Sequence, residues 1–308
     1  MTKLQDLVES DGNAELLASG FEFTEGPAWN ERTKRLHFSD IPGDAIHTWD
    51  GKQVAEWRRP SRMANGLAFD HQGRLIACES ATSHVTRTNL DETVETIASH
   101  FERRELNSPN DVVVKSDGSI YFTDPAGGRS LPHGVERERE LPFQGVFRLD
   151  PQAAEPSLLV ADFDTPNGLC FSPDERLLYV NDSIRMHIRV FDVTDDGSLD
   201  NGRVFFVQTG YTPDVRQISE VLQRTGKLEH GLPDGMKTDE HGNVYCTGHG
   251  GIWVISPEAV LIGVISTPEI PANLAWGAVD GRSLFICATR SIYRVSMSVR
   301  GASASALA

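Results

Sequence analysis

Pro109-Asn110-Asp111 is followed by the apolar run Val112-Val113-Val114, a Lys-Ser-Asp-Gly turn, and Ile120-Tyr121-Phe122-Thr123-Asp124-Pro125. A short polar opening, a β-rich run, a glycine-containing turn and a second β-rich run read as a hairpin whose first residues lie at one end of a sheet. The pattern recurs. Pro166-Asn167-Gly168 precedes Leu169-Cys170-Phe171 and, after a turn, Leu177-Leu178-Tyr179-Val180-Asn181-Asp182. Pro233-Asp234-Gly235 precedes Met236-Lys237-Thr238 and then Asn243-Val244-Tyr245-Cys246-Thr247. Weaker copies start at Glu25-Gly26-Pro27, Asn65-Gly66-Leu67 and Asn273-Leu274-Ala275.

Six copies of one hairpin turn the fold question into a question about an array. The residues after the openers (Gly26, Gly66, Asp111, Gly168, Gly235, Leu274) are spaced by 40, 45, 57, 67 and 39 positions. A four-stranded propeller blade needs roughly 40 to 50 residues, so the long intervals are blades carrying insertions. The expectation is an all-β fold, a six-bladed β-propeller with a metal site in its central channel. Each blade leaves both faces to be covered, so neighbours stack and the ring closes.

Residues 1–13 are expected to be a loosely held leader, 14–297 a single propeller domain, and 298–308 a flexible tail. Residues 14–23 are a candidate ring-closing strand. The insertion at about 126–144 carries His133 and the mixed-charge run Glu136-Arg137-Glu138-Arg139-Glu140, and reads either as a solvated excursion or as a lid. The insertion at about 208–232 contains Val215 to Leu222 with helical spacing of its apolar residues.

The net charge of −15 argues against nucleic acid or an anionic membrane as partner and favours cations or substrates without negative charge. No apolar run approaches a membrane span, and the first residues lack a basic region followed by an apolar core, so a cytoplasmic protein is expected, monomeric or a small homo-oligomer. Cys78, Cys170, Cys246 and Cys287 have no metal-binding spacing and read as small buried hydrophobes.

In a propeller the innermost strands line the channel, so the residues that open them converge on one mouth. Those residues are Glu25, Asn65, Asn110, Asn167, Asp234 and Asn273. Any single Asn-Gly or Asp-Gly pair is ordinary turn chemistry. A turn requirement alone does not place an oxygen ligand at the same phase in successive blades. Carboxylate and amide oxygens without thiolate describe a hard-cation site, Ca²⁺ first, with Mg²⁺, Mn²⁺ or Zn²⁺ as alternatives. Glu25 and Asp234 would balance a divalent charge, while Asn110 and Asn167 would add neutral oxygens.

At these motifs, together with Asn107-Ser108-Pro109-Asn110-Asp111 and Tyr121-Phe122-Thr123-Asp124-Pro125, the chain resembles the gluconolactonase and senescence-marker-protein (regucalcin) lactonases over roughly Phe23 to Arg294. The resemblance implies a six-bladed propeller in which Glu25, Asn167 and Asp234 bind metal, Asn110 binds metal or substrate, and Asp234 also serves as general base. Regucalcin-like members place an arginine where this chain has Ser108. The expected activity is metal-assisted hydrolysis of a small-molecule lactone, a sugar lactone such as gluconolactone. The alternatives are a phosphotriesterase-like or other propeller hydrolase, and a non-catalytic calcium-binding ring. Glu79 and Asp124, at the ends of second strands, are candidates to orient substrate or water, or are strand-end caps. His249, in a glycine-rich turn, and His133 are further candidate substrate contacts.

Overall fold

The structure, a computed structural model, describes residues 2–9, 12–208 and 230–302. Among them, six four-stranded antiparallel sheets follow one another as the blades of a propeller. The inner strands are Thr24–Asn30, Ala64–Phe69, Val112–Val114, Pro166–Phe171, Met236–Thr238 and Pro271–Gly277. Each pairs with a second strand: Arg35–Asp40, Leu75–Glu79, Ile120–Asp124, Leu177–Asp182, Val244–Gly248 and Ser283–Ala288 respectively. Second strands are buried nearly throughout, as expected for elements covered on both faces, and their Val, Ile, Leu, Phe and Tyr content suits that position.

The apolar core is divided into six wedges, one between each pair of neighbouring blades. Ile76 and Cys78 of blade two meet Val112, Phe122 and Phe147 of blade three, with the two phenylalanine rings stacked at 5.4 Å. Leu36 and Phe38 of blade one meet Phe285 and Cys287 of blade six, which joins the last blade to the first. Each fully buried large side chain contributes on the order of 1.5–3 kcal/mol. No blade has a core of its own, so stability belongs to the ring.

Closure uses both ends of the described chain. Glu15–Ser19 is the outer strand of blade six, antiparallel to Ser291–Ser296, with Arg294 bonded to Glu15. The expectation of a loose leader does not describe residues 4–8. Leu4–Leu7 is a helical turn, and Leu7 and Val8 are buried in the wedge between blades five and six, because a blade end left bare there would expose Tyr293 and Met297. The tail is also corrected for residues 298–302. Val299 is buried, Glu240 N–H donates to the Arg300 carbonyl at 2.9 Å, and Gly301 bridges Asp239. The helical segment expected at 215–222 lies outside the described residues.

Two sets of bonds place the openers. The first uses the acid that ends a second strand. Asp40 accepts the N–H groups of Glu22 and Phe23, Asp124 those of Asn107 and Ser108, and Asp182 those of Asp164 and Thr165. In every case these are the residues three and two before the opener of the same blade. The second set links blades through the penultimate residue of the second strand. The hydroxyl of Ser39 donates to the carbonyl of Asn65 at 2.8 Å, Thr123 to Asn167 at 2.7 Å, and Thr247 to Ala272 at 3.1 Å. The Asn181 amide donates to the Asp234 carbonyl and the Cys287 thiol to that of Glu25. The neighbouring backbones are so close that a Cβ on Gly26, which has φ of +47°, would lie 1.9 Å from the Asn65 carbonyl oxygen.

The insertion at 126–144 is tied down. It begins with a 3₁₀ turn, Gly127–Arg129, and Gly128 packs so closely on Ser80 and Ser108 that a Cβ would come within 2.8 Å of each. Arg129 donates to the carbonyls of Leu106 and Asn107 and pairs with Glu105 at 2.7 Å. Arg137 donates to the carbonyls of Ser80 and Ala81. The mixed-charge run is therefore not simply a solvated face, because two of the insertion's arginines satisfy backbone carbonyls of the rim. Its far side carries His133 onto Phe23 of blade one, with ring centroids 4.4 Å apart.

Asp182 also accepts the N–H groups of Ile184 and Arg185, so its truncation strands four backbone donors. We expect Asp182→Ala to lower the unfolding free energy by about 3 kcal/mol, read from urea or guanidinium titration. An unchanged midpoint would mean that the loop before Asn167 is held by something else.

Candidate active site

The loops from second to third strands and from outer to inner strands rim one mouth of the channel, and the openers lie on this side. Glu25 is buried and makes both of its hydrogen bonds through Oε2, accepting from Gly26 N–H at 2.6 Å and from Asn273 Nδ2 at 2.9 Å. Its Oε1 has no hydrogen bond among the described residues. Asn273 is thus an opener used to orient another opener, and its own Oδ1 accepts the N–H of Leu274.

Asn167 and Asp234 are aligned by one hydroxyl. Ser183, buried at the end of blade four's second strand, accepts from Asn167 Nδ2 at 3.0 Å and donates to the Pro233 carbonyl at 2.6 Å. With its nitrogen engaged, the Asn167 amide presents Oδ1, which is buried without a partner. A buried acceptor of this kind is normally satisfied, so its position marks where a donor or a cation belongs.

Asp111 enters the same cluster. It is 2% exposed, its Oδ1 accepts the N–H of Val112 at 2.9 Å, and its Oδ2 is buried without a partner. Burial raises the Glu25 carboxyl to about 7, with the Asp111 charge adding to it, while the Gly26 and Asn273 bonds and the Lys237 charge oppose. Burial pushes Asp234 well above the usual carboxylate range, with the charges of Glu25 and Asp111 acting in the same direction. Asp111 is raised by burial too, and the Lys237 ammonium is the foremost opposing influence. Three carboxylates from blades one, three and five therefore share a low-dielectric space and repel one another. That arrangement is stable with protons or with a cation, and the oxygen-only donor set suits a hard cation. Glu25, Asn167 and Asp234 fit such an ion, and the half-buried Asn110 lies at the same phase, with its carbonyl accepting the N–H of Gly66 at 2.8 Å. No cluster of three His, Cys, Asp or Glu side chains in metal-ligand geometry occurs among the described residues.

The remaining candidates fall elsewhere on the mouth. Asp124 is fully buried and its oxygens are taken by Asn107 and Ser108 N–H, so it holds the loop that leads to Asn110. Glu79 is buried against Arg58 and Arg62 and accepts the hydroxyls of Thr82 and Thr86. Neither carboxylate is in the Glu25 cluster. Asn65 turns its backbone carbonyl to Ser39. His249 lies in the blade-five turn with its ring 5.0 Å from that of His230, and its carbonyl accepts Trp253 Nε1. His133, packed on Phe23 two residues before Glu25, has its imidazole lowered to about 4 by burial. Sequence reasoning missed Asp111 and Ser183. The available signal for Asp111 was a carboxylate at a position where four of the other five copies have glycine.

Comparison with known proteins identifies the family. The sequence model of the SMP-30/Gluconolactonase/LRE-like region matches residues 23–290. A gluconolactonase of Zymomonas mobilis subsp. mobilis is 28% identical over 95% of this chain and 83% of its own. An L-arabinolactonase of Azospirillum brasilense is 26% identical over 91% of this chain and 85% of its own. The solved structure of a gluconolactonase from Xanthomonas campestris superposes with a TM-score of 0.82 at 30% identity, covering 96% of this chain and 92% of that one. With the family match spanning most of the six-bladed ring, the chain belongs to the SMP-30/gluconolactonase/LRE-like family.

Proposed function

We propose that the protein hydrolyses lactones of sugar acids at the channel mouth, using a divalent cation, Ca²⁺ first, held by Glu25, Asn167 and Asp234. Asn110 either completes the ligand set or contacts substrate. The observation that carries this reading is the convergence of unpartnered oxygens, Asn167 Oδ1 and Glu25 Oε1, beside the buried Asp234. The printed activities of the relatives, a gluconolactonase and an L-arabinolactonase, supply the substrate class. The cation, when bound, supplies Lewis-acid polarisation of the lactone carbonyl and stabilises negative charge developing on its oxygen.

The chain's own groups do the rest. Asp234 takes a proton from water as the water oxygen bonds to the carbonyl carbon. The bond from that carbon to the ring oxygen then breaks, and Asp234 returns the proton to the ring oxygen, which leaves as a hydroxyl. The product is the open-chain hydroxy acid. Ser183 keeps the Asn167 oxygen and the Asp234 backbone in register. Phe23 and His133 form an aromatic wall from the rim and the insertion, suited to the C–H face of a sugar ring.

The deciding experiment is proton release in a pH-stat on γ- and δ-lactones of hexonic and pentonic acids, with metal-stripped protein and after adding back Ca²⁺, Mg²⁺, Mn²⁺ or Zn²⁺ singly. Turnover restored by metal and lowered about 10³-fold in Asp234→Asn is the expected result. Metal binding without turnover on any lactone overturns the substrate class, and full turnover in Asp234→Asn removes the base. A separate calorimetric titration addresses Ser183. Ser183→Ala is expected to weaken cation binding about tenfold while Ser183→Thr largely retains it.

His133 gives a pH prediction. Its imidazole is lowered from the ordinary 6.5 to about 4, so an open insertion takes up protons before the closed one does. The hold of the insertion on Phe23 is complete above about 6.5 and weakens as pH falls from there towards 4. Titration of the His133 ring by NMR should show a midpoint near 4, moving back towards the ordinary value in Phe23→Ala. A midpoint near 6.5 in the unaltered protein would show the ring to be solvated.

A further inference from the structure

Asn273 reads as an opener in the sequence, but the hydrogen bonds place it one layer deeper in the channel. The carbonyls that accept from the preceding blade's second strand belong to Glu25, Asn65, Asn167, Asp234 and, in blade six, Ala272. Gly66 N–H donates to the Asn110 carbonyl and Gly235 N–H to that of Ala272, both at 2.8 Å. The layer beneath the openers is therefore Gly26, Gly66, Asp111, Gly168, Gly235 and Asn273. Glycine is required at four of these places. A Cβ would lie 1.9 Å from the Asn65 carbonyl oxygen at Gly26, 2.5 Å from that of Asn110 at Gly66, 2.0 Å from that of Asp234 at Gly168, and 2.0 Å from Asn273 Oδ1 at Gly235. The two side chains of the layer come from blades three and six, which face each other across the axis of a six-bladed ring.

This layer is the throat of the channel. At the four glycines an added Cβ would stand between 2.5 and 3.0 Å from the Cα of the next member, so neighbouring Cα atoms lie within about 4.5 Å of one another. Opposite members of a six-fold ring are two such spacings apart, about 9 Å, which is close to the span of two Asp or Asn side chains end to end. Both side chains use Oδ1 in the same way, Asp111 on Val112 N–H at 2.9 Å and Asn273 on Leu274 N–H at 2.8 Å. That bond fixes the remaining atom of each. Asn273 Nδ2 gives one hydrogen to Glu25 Oε2 at 2.9 Å, and Asp111 Oδ2 is buried without a hydrogen-bond partner. An amide nitrogen carries a second hydrogen, and a buried acceptor calls for a donor.

We propose that Asp111 and Asn273 are positioning residues that close the throat beneath the cation site, and that Asp111 acts on Glu25 through Asn273. The Asp111 carboxylate keeps the N–H edge of the Asn273 amide turned to the axis. The amide in turn holds Glu25 by Oε2 and leaves Oε1 to face the ion. This inference rests on the metal-binding reading above and deepens it. A ligand whose second oxygen is held by a fixed donor is oriented before the ion arrives, and such outer partners raise affinity.

The test is calorimetric titration of Ca²⁺ into the metal-stripped full chain, with folding checked by circular dichroism. Asn273→Gly gives this position the residue that four blades already carry, and should weaken Ca²⁺ binding about tenfold. Asp111→Gly removes a charge as well as a side chain, and a double-mutant cycle separates the two effects. The loss of affinity caused by Asp111→Gly should shrink about tenfold when residue 273 is already glycine, because the path through the amide is then gone. Equal losses in the two backgrounds mean that Asp111 acts by charge alone and overturn the proposal, as does an unchanged affinity in Asn273→Gly. If Asn273→Gly does not fold, Asn273→Ser takes its place in the cycle, since it keeps an oxygen for Leu274 N–H and is too short to reach Glu25. Failure of the unaltered protein to bind Ca²⁺, Mg²⁺, Mn²⁺ or Zn²⁺ is a separate result that overturns the metal reading itself, and the inference with it.

Discussion

The structure depends on the hydrogen bond that passes, in five of the six blades, from the second strand to a carbonyl at or beside the opener of the next blade. Ser39, Thr123, Asn181, Thr247 and Cys287 occupy one equivalent position, the penultimate residue of the second strand, and each spends its polar atom on a carbonyl at or beside the following opener. A carbonyl at the wall of a narrow channel needs a donor if it is not to be buried unsatisfied. The same bond sets the distance between blades at the mouth, so the side chains of Glu25, Asn167 and Asp234 are placed by main-chain contacts one blade away. The strand-end acids complete the arrangement by holding the approach loops. Blade-to-blade stacking and the placement of the openers are therefore one constraint.

Much of this was legible in the sequence because it is repetitive. The opener, the first strand, the turn and the second strand recur with the period-two and glycine signals that local sterics demand, and the array gave the blade number and the mouth. The oxygen character of the openers gave the candidate metal residues for the same reason. What did not recur was not legible. Asp111 follows an opener and looks like turn chemistry, and only the packing shows its second oxygen buried without a partner. Ser183 has no neighbouring motif, and its role arises from touching Asn167 and Pro233 at once. Asp124 and Glu79 were visible as acids at strand ends, while the choice between substrate and loop depends on which N–H groups and arginines come near. Residues 4–8 and 298–302 read as termini by composition but fill the wedge and rim of the last blades.

Ser108 seats the insertion on the mouth. Its hydroxyl donates to the Pro125 carbonyl and accepts the N–H of Gly128, and its small Cβ leaves room for the insertion to settle on the rim. A longer side chain there would displace the glycine turn, and with it the arginine ties and the His133 contact. The rim beside the Asn110 loop is thus covered in this chain by a segment laid across two blades.

Ring closure has a consequence for how the protein is made. Glu15 leaves the ribosome early and its partner Arg294, 279 residues later in the chain, leaves near the end. Throughout synthesis the first blade presents the apolar face of Leu36 and Phe38 without Phe285 to cover it, and the strand Glu15–Ser19 has an open edge. Contacts of such sequence separation form slowly and leave edges exposed in the meantime. The ring therefore stays an incomplete circle until its last blade arrives, with the first wedge and the closing strand edge uncovered until then.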